Sequence, residues 1–176
     1  MQIKTVITLL QLPPYHPFPV LTDGRIILRP IGPADLHDIL DISYYDGQKA
    51  QNVAEAQVMQ DKIHQNYQDG DSIHWGIIDA HTQKIAGTCG YYRGFANDAG
   101  ELGCVLLPAF RGQGYMTAAL QLAIDFGKNT MGLNQVWAAT SRSNTRAMQL
   151  LERLHFEQAA DTEGDQIIYS HREVVL

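Results

Sequence analysis

The residues best suited to chemistry lie in one passage, Glu101-Leu-Gly-Cys-Val-Leu-Leu-Pro-Ala-Phe-Arg-Gly-Gln-Gly-Tyr-Met-Thr-Ala-Ala-Leu120. An apolar strand stops at Pro108, turns through Arg111-Gly-Gln-Gly114 and runs directly into an amphipathic helical pattern. Gly112 and Gly114 lack the Cβ atoms that would keep a ligand from the helix start, whose free N–H groups and partial positive charge suit an anion. Arg111 adds a full cation, so a pyrophosphate is the natural guest. A glycine pair can also serve only as a tight strand-to-helix connection. A Walker loop is excluded because no lysine occupies its required place. A dinucleotide fingerprint, and with it a nicotinamide-dependent oxidoreductase, fits poorly. Thr117 stands where a third small residue is needed, and Val136 and Trp137 stand where an acid about 20 residues on should be.

The elements that must position this loop follow from periodicity and punctuation. Pro13, Pro14, Pro17 and Pro19 rule out an opening helix and make residues 1–21 an extended arm, with residues 22–176 as one domain. Residues 25–29 read as a strand stopped by Pro30. Residues from 33 on, with Leu36, Ile39, Leu40 and Ile42 on one face, read as a first helix, and residues 54–67, ended by Gly70, as a second. Residues 73–78, 84–92 and 100–107 form three β-rich runs, an antiparallel meander. Residues 114–131 are the strongest helical pattern, followed by a strand at 135–140, a helix at 143–154 and closing strand structure at 165–171. The order gives a mixed sheet covered by helices.

Composition is that of a globular domain: 176 residues, 45% hydrophobic and 18% charged, without repeats or low-complexity tracts. Thirteen basic against 19 acidic side chains give a formal charge of −6, which disfavours binding to a phosphate backbone and leans toward a cationic partner. No apolar run is long enough to span a membrane, and Val6-Ile-Thr-Leu-Leu10 is too short for a signal core. Cys89 and Cys104 read as free thiols in a reducing cytoplasm.

The loop, within Leu107-Pro-Ala-Phe-Arg-Gly-Gln-Gly-Tyr115, resembles the acetyl-coenzyme A loop of the GNAT acetyltransferases, with Met116 departing from the small residue at its last position. Asn144-Thr-Arg-Ala-Met-Gln-Leu-Leu-Glu-Arg-Leu-His-Phe156 resembles the family's second signature, with His155 in place of a glycine. Together with Arg25-Ile-Ile-Leu-Arg-Pro-Ile-Gly-Pro-Ala-Asp-Leu36, the likeness covers residues 22–171 and is nearest the branch of ribosomal-protein alanine N-acetyltransferases.

That resemblance implies an α/β (α+β) fold, a mostly antiparallel central sheet of about seven strands flanked by about four helices. It further implies two splayed parallel strands, 102–107 and 135–140, with acetyl-coenzyme A as co-substrate between them. The backbone of Val105 and Leu107 would take the pantetheine arm. Arg111, Gly112, Gln113, Gly114, Tyr115 and Met116 would hold the pyrophosphate, with a hydroxyl from Thr117. Asn144 would reach the cofactor, or would simply cap its helix. Transfer to an amine by direct attack needs a proton acceptor, because amines are mostly protonated at neutral pH. Glu101 stands where relatives carry a base, and its alternative reading is a solvated strand-end charge.

Leu151 and Ala147 stand where relatives carry a tyrosine or serine that protonates the departing thiolate. Tyr91, Tyr92, Ser141 and Ser143 are the substitutes on offer. The missing acid leaves a non-catalytic acyl-coenzyme A binding or sensing module as the alternative to an enzyme. The seven histidines, among them His64, His74, His81 and His155, show no ligand spacing, so no metal is expected. Cys104, Trp75 and Trp137 read as core residues, and Tyr15 and Phe18 as part of a packed lead-in. The expected acceptor is a small-molecule or peptide amine, with no nucleic acid or membrane partner, and a homodimer is in keeping with the family.

Overall fold

The meander read from the sequence forms the middle of the sheet in the computed structural model, which describes residues 9–161 and 164–172. Eight strands, β1 (Leu21–Thr22), β2 (Ile26–Arg29), β5 (Ile73–Asp79), β6 (Ile85–Tyr92), β7 (Ala99–Leu106), β8 (Gln135–Ser141), β9 (Phe156–Asp161) and β10 (Gln166–His171), run in the order β1-β2-β5-β6-β7-β8-β10-β9. A separate hairpin joins β3 (Tyr44–Tyr45) to β4 (Gln48–Lys49). Every neighbouring pair is antiparallel except β7 and β8. This is the mixed, mostly antiparallel sheet expected, with eight strands in place of about seven.

Among the described residues three α-helices cover it, α1 (Val53–Gln68), α2 (Tyr115–Phe126) and α3 (Thr145–Arg153), and the helix expected from residue 33 on is not formed. Residues 33–42 instead make two 3-10 turns, Pro33–Asp35 and Leu40–Ile42. The Asp35 carboxylate holds Arg29 at 2.7 and 2.9 Å and the Gly32 N–H at 2.8 Å, which ties the first turn to β2. Leu36 and Ile39 still enter the core, because spacing of three residues is satisfied by short turns as well as by a helix.

Alternation on β5 divides the core in two. Ile73, Trp75 and Ile77 join the cluster that packs beneath α2 through Ala119, Leu120, Ala123 and Ile124. Ile78 joins Leu36, Ile39 and Ala56 on the α1 side. Trp75 is core as expected, whereas Trp137 is half-buried. The proline arm lies against the main cluster through Leu10, Tyr15 and Phe18, and the Trp75 indole N–H donates to Pro19 O at 2.9 Å. Its first eight residues, and residues 173–176, lie outside the described part of the chain.

Helix α2 begins at Gly114 and ends where Tyr91 intrudes. The Tyr91 hydroxyl donates to Ala123 O at 2.8 Å, and a Cβ on Gly127 would lie 2.2 Å from that hydroxyl oxygen. The backbone continues as a wider π turn over Gly127–Met131. Helix α1 is capped at Asn52, whose side chain accepts the Glu55 N–H at 2.9 Å.

One topological feature governs the site. Strands β7 and β8 pair only over Ala99↔Gln135, Gly100↔Val136 and Glu101↔Trp137. Beyond that point β7 stays bonded to β6 as far as Leu106, and β8 stays bonded to β10 as far as Ser141. The sheet therefore opens between them, starting at Glu101.

Candidate active site

Glu101 is the last residue of β7 paired with β8, and it stands at the apex of the opening. It is 9% exposed, and its Oε1 accepts a hydrogen bond from the Arg93 guanidinium, whose own pKa this contact raises. The carboxylate is thus neither a solvated strand-end charge nor an unpartnered buried one. Its side chain joins a cleft of about 780 Å³ on the α1 side of the sheet, between β6–β7 and the wall made by α1 and the β3–β4 hairpin. Tyr92, directly opposite Glu101 across β6–β7, lines the same cleft, as do Cys104 and Val105.

The direction of the backbone groups along β7 follows from one hydrogen bond. The Leu107 N–H donates to Ala86 O at 2.9 Å, and the unbroken register Gly87↔Leu106, Thr88↔Val105, Cys89↔Cys104 carries the alternation back along the strand. Val105 and Leu107 therefore turn their polar groups toward β6, and Cys104 and Leu106 turn theirs toward the opening. The backbone groups that face the opening are thus those of residues one position from the expected Val105 and Leu107. The Leu106 carbonyl indeed accepts the Arg111 guanidinium, at 3.3 Å from Nε and 3.2 Å from Nη2. Sequence reasoning also missed Cys104, which is accessible at the cleft rather than part of the core. The enclosing walls still push its thiol up to about 12.

The loop expected to hold a pyrophosphate is exposed from Arg111 to Gly114. Gly112 and Gly114 have φ of 73° and 81°, left-handed values that side chains disfavour, and Gly114 is the N-cap of α2. The N–H groups of Tyr115, Met116 and Thr117, in the first turn, have no partner within the helix and face the end where an anion is favoured. The loop is braced from outside. Arg25 donates to Gln113 O and lies 4.8 Å above the Tyr115 ring, and the Tyr115 hydroxyl donates to Asp79 Oδ2. Tyr115 thus offers its backbone to the loop while its side chain points into the protein. Arg25 and Asp79 were not legible as site residues, since nothing in their local sequence announces a contact with residues some ninety and thirty-six positions away.

Asn144 caps α3, its Oδ1 accepting the Ala147 N–H at 3.2 Å. Leu151 is 5% exposed in the core and Ala147 is half-buried, so neither presents a proton donor to the opening. Of the four substitute donors, Tyr91 is committed to Ala123 O, and Ser141 and Ser143 bond to each other at 2.9 Å. Tyr92 lines the cleft, where burial pushes its phenol pKa up. Among the described residues no group of three His, Cys, Asp or Glu could hold a metal ion, and no helix is long and apolar enough to cross a membrane.

Comparison with known proteins agrees with this geometry. An uncharacterized N-acetyltransferase of Bacillus licheniformis, p20, is 30% identical over 108 residues, a match spanning 61% of each chain. A spermidine N-acetyltransferase variant from Vibrio cholerae superposes with a TM-score of 0.72 at 17% identity, covering 84% of this chain and 94% of that one. A ribosomal-protein alanine acetyltransferase from Vibrio fischeri gives 0.71 at 18% identity, covering 86% and 94%. The family model of the acetyltransferase (GNAT) domain matches residues 25–157. With that match across most of the chain, and a sheet that opens ahead of a glycine-rich helix start, the protein belongs to the GNAT acetyltransferase family.

Proposed function

We propose that the protein transfers an acetyl group from acetyl-coenzyme A to a primary amine by direct attack, as a cytoplasmic enzyme. The observation that carries this reading is the divergence of β7 from β8 just past Glu101, which joins the loop at one end of β7 to the acceptor cleft at the other. Acetyl-coenzyme A supplies a thioester, whose carbonyl carbon takes the new C–N bond as the C–S bond breaks. The Cys104 backbone groups and the Leu106 N–H, which face the opening, suit the amides of a pantetheine arm, as an added strand would, while the Leu106 carbonyl is held by Arg111. The first-turn N–H groups of α2 and the cations Arg111 and Arg25 suit the pyrophosphate.

Glu101 takes the proton released by the attacking nitrogen, directly or through one water, and Arg93 fixes the carboxylate in place. Tyr92, which lies beside Glu101 in the cleft, is able to return a proton to the sulfur. The carboxylates of Asp46 and Asp71 at the cleft draw in a cationic acceptor. Calorimetric titration with acetyl-coenzyme A, against coenzyme A and NAD, tests the cofactor, and thioester consumption with a panel of amines tests the reaction. Micromolar binding together with amine-dependent turnover is the expected result. Tight binding with no turnover on any amine would favour a non-catalytic acyl-coenzyme A module, which the buried Leu151 on α3 would then explain.

A further inference from the structure

Two polar atoms in the acceptor cleft have no partner among the described residues. Ser72 is 5% exposed and its Oγ is unpaired, and so is Nδ1 of His74, an atom sealed from solvent. Buried polar atoms are nearly always satisfied, and an unpaired one carries a desolvation penalty that a ligand can remove. Ser72 immediately precedes β5 and His74 is its second residue, and both line the cleft with Glu101 and Tyr92.

Between them and Glu101 the floor is the backbone of Gly90 and Gly103, with the Tyr92 ring standing over Gly103. His74 pairs with Gly90, and Gly90 with Gly103. A Cβ on Gly90 would lie 2.2 Å from Ile73 O, and one on Gly103 would lie 2.8 Å from Cε2 of the Tyr92 ring. That ring stands 5.4 Å from the His74 imidazole. The result is a trough crossing two strand spacings, about 10 Å, from Glu101 on β7 to the unpaired atoms on β5.

Resting on the acetyl-transfer reading, we propose that Ser72 Oγ and His74 Nδ1 determine acceptor specificity by binding an uncharged hydrogen-bonding group, an amide or a hydroxyl, set back from the attacking nitrogen. A hydroxyl and a neutral imidazole can each donate or accept, and an amide offers one group of each kind. Burial lowers His74 to about 4, so the ring is uncharged at neutral pH. A second ammonium group would be buried against this neutral pair, with the carboxylates of Asp46 and Asp71 on exposed residues. A plain alkyl chain would leave both polar atoms unpaired. The trough therefore selects amino amides and amino alcohols over alkylamines and polyamines.

The test is steady-state kinetics with four acceptors of similar length, glycylglycinamide, aminopentanol, pentylamine and cadaverine, on the protein as it stands and on the Ser72→Ala and His74→Phe variants. The first two acceptors also separate an amide from a hydroxyl as the group bound. In the variants KM should rise about tenfold more for the amide and the alcohol than for pentylamine and cadaverine, and His74→Gln should recover part of the loss. Equal changes for all four acceptors, or no preference in the original protein, would overturn the proposal. Ring-nitrogen resonances of His74, assigned with His74→Gln, give a readout that needs neither turnover nor folded alanine or phenylalanine variants. A shift with glycylglycinamide but not pentylamine supports the specificity pair even if no thioester is consumed, in which case the acetyl-transfer reading alone fails. Thioester consumption with a His74 signal that no acceptor moves removes the pair and leaves the reading standing. A protein that neither binds nor acetylates any of the four removes both.

Discussion

Asp79 and Tyr115 are joined carboxylate to phenol across 36 residues, so the end of β5 holds the first turn of α2 by a side chain. Asp79 also accepts the Thr82 N–H at 2.6 Å and the His81 N–H at 3.0 Å, organising the β5–β6 turn with the same carboxylate. One residue thereby links a turn of the meander to the loop that would receive a pyrophosphate.

Asp79→Asn should raise KM for acetyl-coenzyme A while leaving kcat with saturating cofactor much less affected, because it loosens the loop and not the cleft. The hydrogen bonds from Tyr115 and Thr82 lower Asp79 from 3.8 to about 2 in the folded protein. A depressed value means that its contribution to stability is complete above the unfolded-state pKa and is lost as pH falls from about 4 toward 2. Thermal unfolding of the protein and the variant should accordingly differ at neutral pH and converge across that acidic window.

Glu101→Gln keeps the size of the side chain and removes its capacity to take a proton. Turnover should fall by about two orders of magnitude or more, while calorimetric affinity for acetyl-coenzyme A stays within about twofold of the parent. Unchanged turnover would move the base to another residue of the cleft.

Gly114→Val forces a branched side chain into a left-handed conformation, with its Cβ 3.1 Å from Arg25 Nη1. About 1–2 kcal/mol of stability should be lost, and cofactor affinity should drop far more than that strain would explain in a folded protein. Circular dichroism alongside calorimetry separates the two effects.

Tyr91 and Tyr92 are adjacent on β6 and face opposite sides, which makes them a matched pair of tests. Tyr92→Phe should lower kcat with little change in stability, since its ring can stay over Gly103. Tyr91→Phe should cost about 1 kcal/mol of stability through the lost bond to Ala123 O and leave kcat alone. Chemical denaturation and turnover measured on both variants check the assignment.

The meander, α2 and the position of Glu101 at the foot of its strand were legible because side-chain alternation, glycine turns and capping are written locally. Residues 33–42 were misread because Leu36 and Ile39 have the spacing of a helix, while the ion pair between Asp35 and Arg29 that fixes short turns instead depends on β2. The backbone groups of β7 that face the opening lie one residue from Val105 and Leu107 for a different reason. Sequence shows where a side chain alternates, but the direction of Leu107's N–H is set by its partner Ala86 on another strand. Cys104 looked like core because its neighbours are apolar, and only the parting of β7 from β8 exposes it. Ser72 and His74 carry no motif at all. Their unpaired atoms become visible only when the fold buries them without a partner among the described residues.

Strand β7 also acts as a ruler. It carries Glu101 near one end and leads at the other into the glycine-rich turn, and its pairing with β6 from Glu101 to Leu106 keeps it from stretching or slipping. The five residue steps from Glu101 to Leu106 fix a span of about 17 Å. Removing one residue would shorten that span by about 3.3 Å and would also rotate Glu101 to the other face of the sheet, under α2. Separation and side are therefore locked together. Descendants of this chain can change the reach between Glu101 and the glycine-rich turn only in steps of two residues, or else must place a carboxylate on another strand.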